Sequence, residues 1–390
     1  MGLLYIAEHL RQNDVDVVIT DLSGEENYDI PYADIYGLTV YISSLQTTID
    51  IVMKCKGVNP DCKIVVGGAH PTACPGDLPY ADHVVVGYGE VAMLKIIRGE
   101  DVNRIVAGGE CKDTFVFPAY DMVDVSSYHR TIDGRPSLPY ITSRGCPFKC
   151  FFCGLAKMHG LRVSSASPEV VYSHVKRMKD EFGIDRINFQ DDIFTLDFKR
   201  LSKMLELLNP LGIKFRCMGR AGIDTEEVYS KLAESGCVQI AWGIESGSQS
   251  ILNKMGKKVT VEDNYNVIQW AKKYGITSRA FFIIGFPGET AETIEETKQF
   301  IEVADPDQYF VSNFIPYPGT AVSDHPKSFG VRKIYKEDYS QFYQVSKDGT
   351  GGSVIDTDWL SRSEFKILEL SFRKWISMRQ MRGDLQIYEK

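Results

Sequence analysis

Apolar positions in this chain recur with two alternating periods, and the alternation sets the expected fold. Leu3, Leu4, Ile6, Ala7 and Leu10 fall at helical spacing over Gly2 to Arg11, and the β-branched run Val15 to Thr20 predicts a strand. Strands at Ile35 to Val40, Lys63 to Val66 and Asp82 to Val86 follow, with a helix over Thr47 to Gly57. Strands alternating with helices at this interval predict a parallel sheet covered by helices on both faces.

From Gly108 to about Pro139 the period is lost, and Phe117-Pro118 and Asp133-Gly-Arg-Pro136 are turn signals, so this stretch reads as a linker. From Tyr140 the alternation resumes for six units, with strands expected at 140–143, 186–190, 213–218, 238–242, 279–285 and 308–313. Helix starts between them are marked by Ser167-Pro168-Glu169, by the acidic Asp224-Thr-Glu-Glu227 and by Thr260-Val-Glu-Asp263, which has the form of a capping box. Six units are too few for a closed eight-stranded barrel, so an open, partial (β/α)6 barrel is expected, with its site at the carboxyl ends of the strands. Beyond Ala321 the pattern weakens. Ile334 to Thr357 has no clear period, and Asp358 to Met381 reads as one amphipathic helix on Phe365, Leu368, Leu370, Phe372 and Trp375. The expected division is therefore 1–107, a linker 108–139, a barrel 140–320 and a tail 321–390.

In open parallel sheets ligands lie beyond the carboxyl ends of the strands, where glycine lets the backbone approach closely. Tyr41-Ile-Ser-Ser44, Gly67-Gly-Ala-His-Pro-Thr72 and Gly87-Tyr-Gly-Glu90 occupy three successive strand ends. One such loop is a turn; three together point to a ligand crevice.

Composition narrows the function. The chain has 390 residues, 44% hydrophobic and 25% charged, enough for two packed cores. A net charge of −8 excludes a nucleic-acid surface spread over the whole protein. The longest apolar run, Ala280 to Phe286, is far too short to span a bilayer, and a cytoplasmic protein is expected. Nine cysteines fit a reducing compartment, with Cys55, Cys62, Cys74, Cys111, Cys217 and Cys237 read as ordinary thiols.

The other three stand apart. Cys146, Cys150 and Cys153, at C-x3-C-x2-C spacing behind Gly145 and Pro147, can close on one soft metal centre. Three thiolates suit an iron-sulfur cube with one open iron; a structural zinc site would need a fourth ligand, which His159 could supply.

This triplet, with Phe152 just before its last cysteine, resembles the signature of the radical S-adenosylmethionine (SAM) superfamily. Together with the N-terminal third, the chain resembles the branch that carries a Rossmann-like cobalamin-binding domain ahead of the barrel, over about Gly2 to Thr320. The resemblance implies a [4Fe-4S] cluster on Cys146, Cys150 and Cys153, SAM chelated at the open iron, and cobalamin in the crevice. For cobalamin it implies contacts from Ser43, Ser44, Gly67, Gly68, His70, Gly87, Gly89 and Glu90. No Asp-x-His-x-x-Gly is present, so histidine ligation from below is not expected, and because Gly2-Leu-Leu-Tyr matches the stretch that in the family follows a first strand and a Pro-rich loop, a sheet without that strand is expected.

For SAM it implies Phe152, then Gln190 and Asp191 on the amino group with Asp192 in support, or Asp192 as a helix cap. Arg220 would face the SAM carboxylate and Glu245 of Gly243-Ile-Glu-Ser-Gly-Ser248 the ribose. The backbone at Ile284 and Gly285 would face adenine, Gly288-Glu289-Thr290 is read as a turn and cap, and Tyr317 as a substrate wall. The activity implied is reductive SAM cleavage to a 5′-deoxyadenosyl radical that abstracts hydrogen from a small organic substrate, with methylcobalamin delivering a methyl group and an electron donor such as flavodoxin or ferredoxin. A radical SAM enzyme of other chemistry with a vestigial first domain, and a zinc-stabilised binding module, are the alternatives.

Overall fold

Four parallel strands, β1 (Ile35–Thr39), β2 (Lys63–Gly67), β3 (His83–Val86) and β4 (Ile105–Ala107), pair in the order of the chain. The computed structural model describes residues 1–22, 28–109, 115–128, 130–335, 342 and 352–380. Cys111 and Met381 lie outside them. Alternation along β2 explains the two cores of this sheet. Ile64 and Val66 join Val40, Val52, Cys55 and Val84 on one face, whereas Val65 joins Val85, Ala92, Ile96 and Val106 on the other. Helix α2 (Leu45–Val58) closes the first face through Val52 and Cys55; α4 (Glu90–Ile97), the fourth helix after α1 (Gly2–Arg11), α2 and the short α3 (Ala69–Ala73), closes the second.

The expected strand at Val15 to Thr20 does not form. These residues alternate between exposed and half-exposed and join no ladder, and without a partner the β-branched run has no backbone hydrogen bonds to gain. Strand β4 was hidden by its brevity. No strand precedes β1 among the described residues.

The chain divides into two compact units, Met1–Pro147 with Gly154–Ala166, and Phe148–Cys153 with Ser167–Lys390. The first also holds the hairpin β5 (Thr131–Ile132) and β6 (Arg135–Pro136), then β7 (Leu138–Tyr140), the strand expected at 140–143. It further holds the ladder of β8 (Ser143–Arg144) with β9 (Ser164–Ser165) and the short α5 (Leu155–His159). The linker stretch is thus partly structured.

In the second unit β10 (Arg186–Phe189), β11 (Lys214–Gly219), β12 (Cys237–Glu245), β13 (Thr277–Ile284) and β14 (Gln308–Asn313) are parallel neighbours in chain order. Helices α6 (Pro168–Phe182), α7 (Phe198–Leu208), α8 (Glu226–Glu234), α9 (Gln249–Lys254), α10 (Val261–Lys273) and α11 (Ala291–Ala304) separate them. Ser167 caps α6 through the amide of Val170, and Thr260 with Asp263 forms the capping box of α10. Thr290 caps α11, as the turn reading of Gly288-Glu289-Thr290 requires. The cap of α7 is Asp197, which receives the Arg200 amide, and not Asp192. After the short α12 (Ala321–Asp324) and the ladder of β15 (Val331–Ile334) with β16 (Ile355–Thr357) comes the tail helix α13 (Arg362–Gln380).

Candidate active site

Because β10 to β14 are all parallel, their carboxyl ends share one edge, and the residues singled out in sequence converge there. Asp191 follows β10 and is fully buried, whereas Gln190 is exposed. Arg220 follows β11, Glu245 ends β12, and Ile284 and Gly285 end β13.

Glu245 is held by its surroundings in a conformation that side chains rarely adopt, with φ 67°, next to a register shift between Gly243 and Glu245. Its carboxylate accepts a hydrogen bond from Lys257 Nζ at 2.8 Å, and both residues are buried. Lys257 also donates to the Gly243 carbonyl, and a β-carbon at Gly243 would collide with the Glu245 carboxylate. Glycine there is required by the ion pair. Lys257 was not singled out in sequence, since a lysine in a Lys-Lys pair reads as surface.

The segment Phe148–Cys153 belongs to this unit. The Phe151 amide donates to the Met255 carbonyl at 2.9 Å, and the Phe151 ring fills the space where Gly256 lacks a side chain. The Phe152 ring stands edge-on to Phe286, centroids 6.5 Å apart. Arg220 spreads its guanidinium over the Phe148 ring at 3.8 Å, donates one nitrogen to the Lys257 carbonyl and points another at Cys150 Sγ, 3.9 Å away. Its Nε is buried with no hydrogen-bond partner among the described residues. Cys146, Cys150 and Cys153 are in no disulfide. The donor set fits three irons of a cube.

Glu289 closes the edge from behind. Its carboxylate accepts from the Gly285 amide at 3.1 Å and from the Thr293 hydroxyl at 2.5 Å, and burial pushes its pKa up to about 7 against those two bonds. Tail helix α13 reaches the same edge. Its Phe365 ring lies against Gly285, and the buried Glu369 accepts from Asn313 Nδ2 at 2.8 Å at the end of β14. Tyr317 sits in the turn after β14, where burial pushes its hydroxyl up to about 12.

In the first unit the three strand-end loops are joined to one another. Ser44 Oγ receives the Tyr41 amide, and the Val40 carbonyl receives the His70 amide. Thr72 Oγ1 donates to the Gly68 carbonyl at 2.8 Å and accepts from the Gly87 amide at 3.0 Å. Gly68, at φ 108°, is packed on Thr39 and Val40, whereas a β-carbon at Gly87, φ 91°, would meet only open space. That open approach suits a large flat ligand over glycine. Ser43 lies in the turn Ile42–Ser44, Gly67 ends β2, and Gly89 packs on Ile6. His70 is buried, and its Nε2 lies 3.3 Å from Asp77 Oδ2; burial lowers its pKa against that carboxylate. With Cys74 these side chains present ligand atoms within 4.8 Å of one another, a grouping the His70–Asp77 pair already accounts for. Glu90 is buried, with Oε1 receiving Arg144. His159 Nδ1 shares a hydrogen bond with the Tyr88 hydroxyl, which removes that nitrogen from a zinc knuckle.

No helix among the described residues is long and apolar enough to cross a membrane. The B12 binding domain model matches residues 1–97, and that of the Radical SAM superfamily matches residues 140–301. An uncharacterized methyltransferase of Pyrococcus horikoshii is 30% identical over 83% of this chain and 78% of its own length. The anaerobic magnesium-protoporphyrin IX monomethyl ester cyclase of Rubrivivax gelatinosus is 26% identical over 78% of this chain and 61% of its own. Among solved structures, a radical S-adenosylmethionine methyltransferase from Kitasatospora setae, with cobalamin and a [4Fe-4S] cluster bound, has the same fold at TM-score 0.70 and 18% identity, covering 95% of this chain and 87% of that one. Two family matches in tandem and a relative of 30% identity across most of both chains make this protein a member of the radical SAM superfamily, in the branch with a B12-binding domain, and its cofactors are a [4Fe-4S] cluster, SAM and cobalamin.

Proposed function

We propose that this enzyme transfers a methyl group to a carbon atom of a small organic substrate. The observation that carries this reading is the tandem of corrin and radical SAM domains in one chain whose 30% identical relative is named as a methyltransferase. When bound, the reduced cluster supplies the electron that splits SAM into methionine and a 5′-deoxyadenosyl radical, and the corrin supplies the methyl group.

The chain's own residues bind and orient. Cys146, Cys150 and Cys153 hold the cluster, and Arg220, beside Cys150, offsets thiolate charge and turns its remaining donor toward the SAM carboxylate. Asp191, with Gln190, takes the SAM amino group. Glu245, aimed by Lys257, takes the ribose, and Ile284 and Gly285 present backbone to adenine while Glu289 fixes the Gly285 amide. Ser43, Ser44, Gly67, Gly68, His70, Gly87 and Gly89 line the corrin crevice, and Glu90 supports it through Arg144. Tyr317 and α13 wall the substrate side. The one-electron donor would be an external protein of the flavodoxin or ferredoxin kind.

The test is anaerobic reconstitution with iron, sulfide, hydroxocobalamin and SAM under strong reductant. The expected result is about four irons per chain, as a cube requires, retained corrin, and release of both 5′-deoxyadenosine and S-adenosylhomocysteine. Release of 5′-deoxyadenosine without S-adenosylhomocysteine refutes methyl transfer and leaves another radical reaction; one zinc and no colour refutes the whole reading.

A further inference from the structure

One buried contact and one half-buried contact join the last corrin-crevice loop to the segment that carries the first cluster cysteine. Arg144 Nη1 donates to Glu90 Oε1 at 2.6 Å, with both residues more than nine-tenths buried (8% and 3% exposed). The guanidinium lies over the rings of Tyr5 at 4.6 Å and Tyr88 at 5.5 Å. Tyr88 in turn hydrogen-bonds His159, with ring centroids 5.3 Å apart. Arg144 immediately precedes Gly145 and Cys146 and is paired through β8 with Ser164, so the segment is gripped near both ends.

The grip has little slack. Gly145 sits at φ 97°, and a β-carbon there would collide with the Arg162 carbonyl and lie 3.3 Å from His159 Cβ. A β-carbon at Gly108 would collide with the Tyr88 backbone. The same loop is tied back to the neighbouring crevice loop through Gly87, Thr72 and Gly68. Contiguous contacts of this kind shift together instead of deforming one at a time.

We propose that Glu90 and Tyr88 are positioning residues that couple the corrin crevice to the cluster: through Arg144 and His159, filling the crevice and setting the Cys146 ligand favour each other. The proposal rests on the cofactor assignment above. Linkage then demands that each cofactor raise the affinity for the other by the same factor.

The probe is hydroxocobalamin, titrated into the full-length protein with the cluster reconstituted and again after the iron has been removed. The wild type is expected to bind it at least about fivefold more tightly with the cluster in place, the lower end of ordinary coupling. In Glu90→Gln and in Tyr88→Phe, both nearly isosteric, the ratio falls to within about twofold of unity. Val52→Ala, a core truncation in the same sheet's packing, lowers the melting temperature and keeps the wild-type ratio. Should Glu90→Gln fail to fold, Tyr88→Phe decides alone. A wild-type ratio of one, or variants that keep the wild-type ratio, overturns the coupling while leaving the enzyme's chemistry standing. A wild type that binds no hydroxocobalamin in either state overturns the cofactor assignment itself.

Discussion

Lys257 Nζ lies 2.8 Å from a Glu245 carboxylate oxygen, and both side chains are shut away from water. Removing one member of such a pair leaves the other charged and unpaired, at a cost of about 3–5 kcal/mol. Lys257→Met is therefore expected to destabilise the protein by that order in urea unfolding and to weaken SAM binding, while Lys257→Met combined with Glu245→Gln regains most of the stability and none of the binding. Stability lost equally in single and double variants would show that the two charges are not a unit.

Glu289 makes stability depend on pH in the direction opposite to that of a salt-bridged acid. Its pKa rises from 4.5 to about 7 on folding, chiefly by burial. The folded state therefore binds more protons between those values, and stability falls as pH rises from about 4.5 through about 7. Asp224, pushed by burial up to about 6, adds a smaller fall at the acid side of the same window. Glu289→Gln keeps an acceptor for the Gly285 amide and is expected to match the wild type near pH 4.5 and exceed it by up to about 3 kcal/mol at pH 8. Parallel stability curves for the two proteins would contradict this.

The periodic parts of the fold were legible in the sequence, because a helix stripe or a buried strand leaves its mark in the order of residues. All six barrel strands are present, with bounds within about three residues of those expected. What was not legible was tertiary. Val15 to Thr20 has strand composition and no partner strand, and β4 is too short for its period to show. The Cys146, Cys150 and Cys153 group could be put forward from sequence because ligand spacing is local. Lys257 and Glu289 were not singled out as parts of the site, since their importance lies in burial and in a partner at 2.8 Å or a backbone amide at 3.1 Å. Asp192 and Asp197 look alike as caps in sequence; only the amide of Arg200, at 3.0 Å from Asp197, separates them.

Gly285 carries two constraints that a control can separate. It adopts φ 82°, and a β-carbon would come within 2.7 Å of the Phe365 ring on α13. Gly275, at φ 68°, has nothing within 4 Å of that position. Each alanine substitution costs about 1–2 kcal/mol for the left-handed backbone, and Gly285→Ala adds about 1–3 kcal/mol of overpacking. The difference in melting temperature between the two variants reads the contact of the tail helix with the strand end. If both variants melt together, α13 does not brace this edge.

Cys217 and Cys237 face each other across β11 and β12, sulfurs 4.0 Å apart, with burial pushing the Cys217 thiol up. A buried thiol without thiolate character is inert. Iodoacetamide added to the native, cluster-free protein is expected to label Cys150 and Cys153, both partly exposed, and to spare Cys217 and Cys237 until denaturant is added. Labelling of Cys217 at the rate of Cys150 in native buffer, followed by peptide mass spectrometry, would mean that this sheet opens readily.

Arg220 divides its guanidinium among the Phe148 ring, the Lys257 carbonyl and Cys150, and keeps one buried nitrogen without a partner among the described residues. Lysine at this position retains a charge and loses the planar fork, so it cannot serve the carbonyl, the sulfur and a carboxylate together. Arg220→Lys is expected to keep most of its iron, because the three cysteines remain, and to lose about tenfold in SAM affinity, equivalent to about 1.4 kcal/mol. Isothermal titration with SAM on reconstituted protein measures the second quantity, and iron content measures the first. A variant that loses its iron and binds what SAM it can with unchanged affinity would make Arg220 a guardian of the cluster alone, and the carboxylate of SAM would then need another partner at this edge.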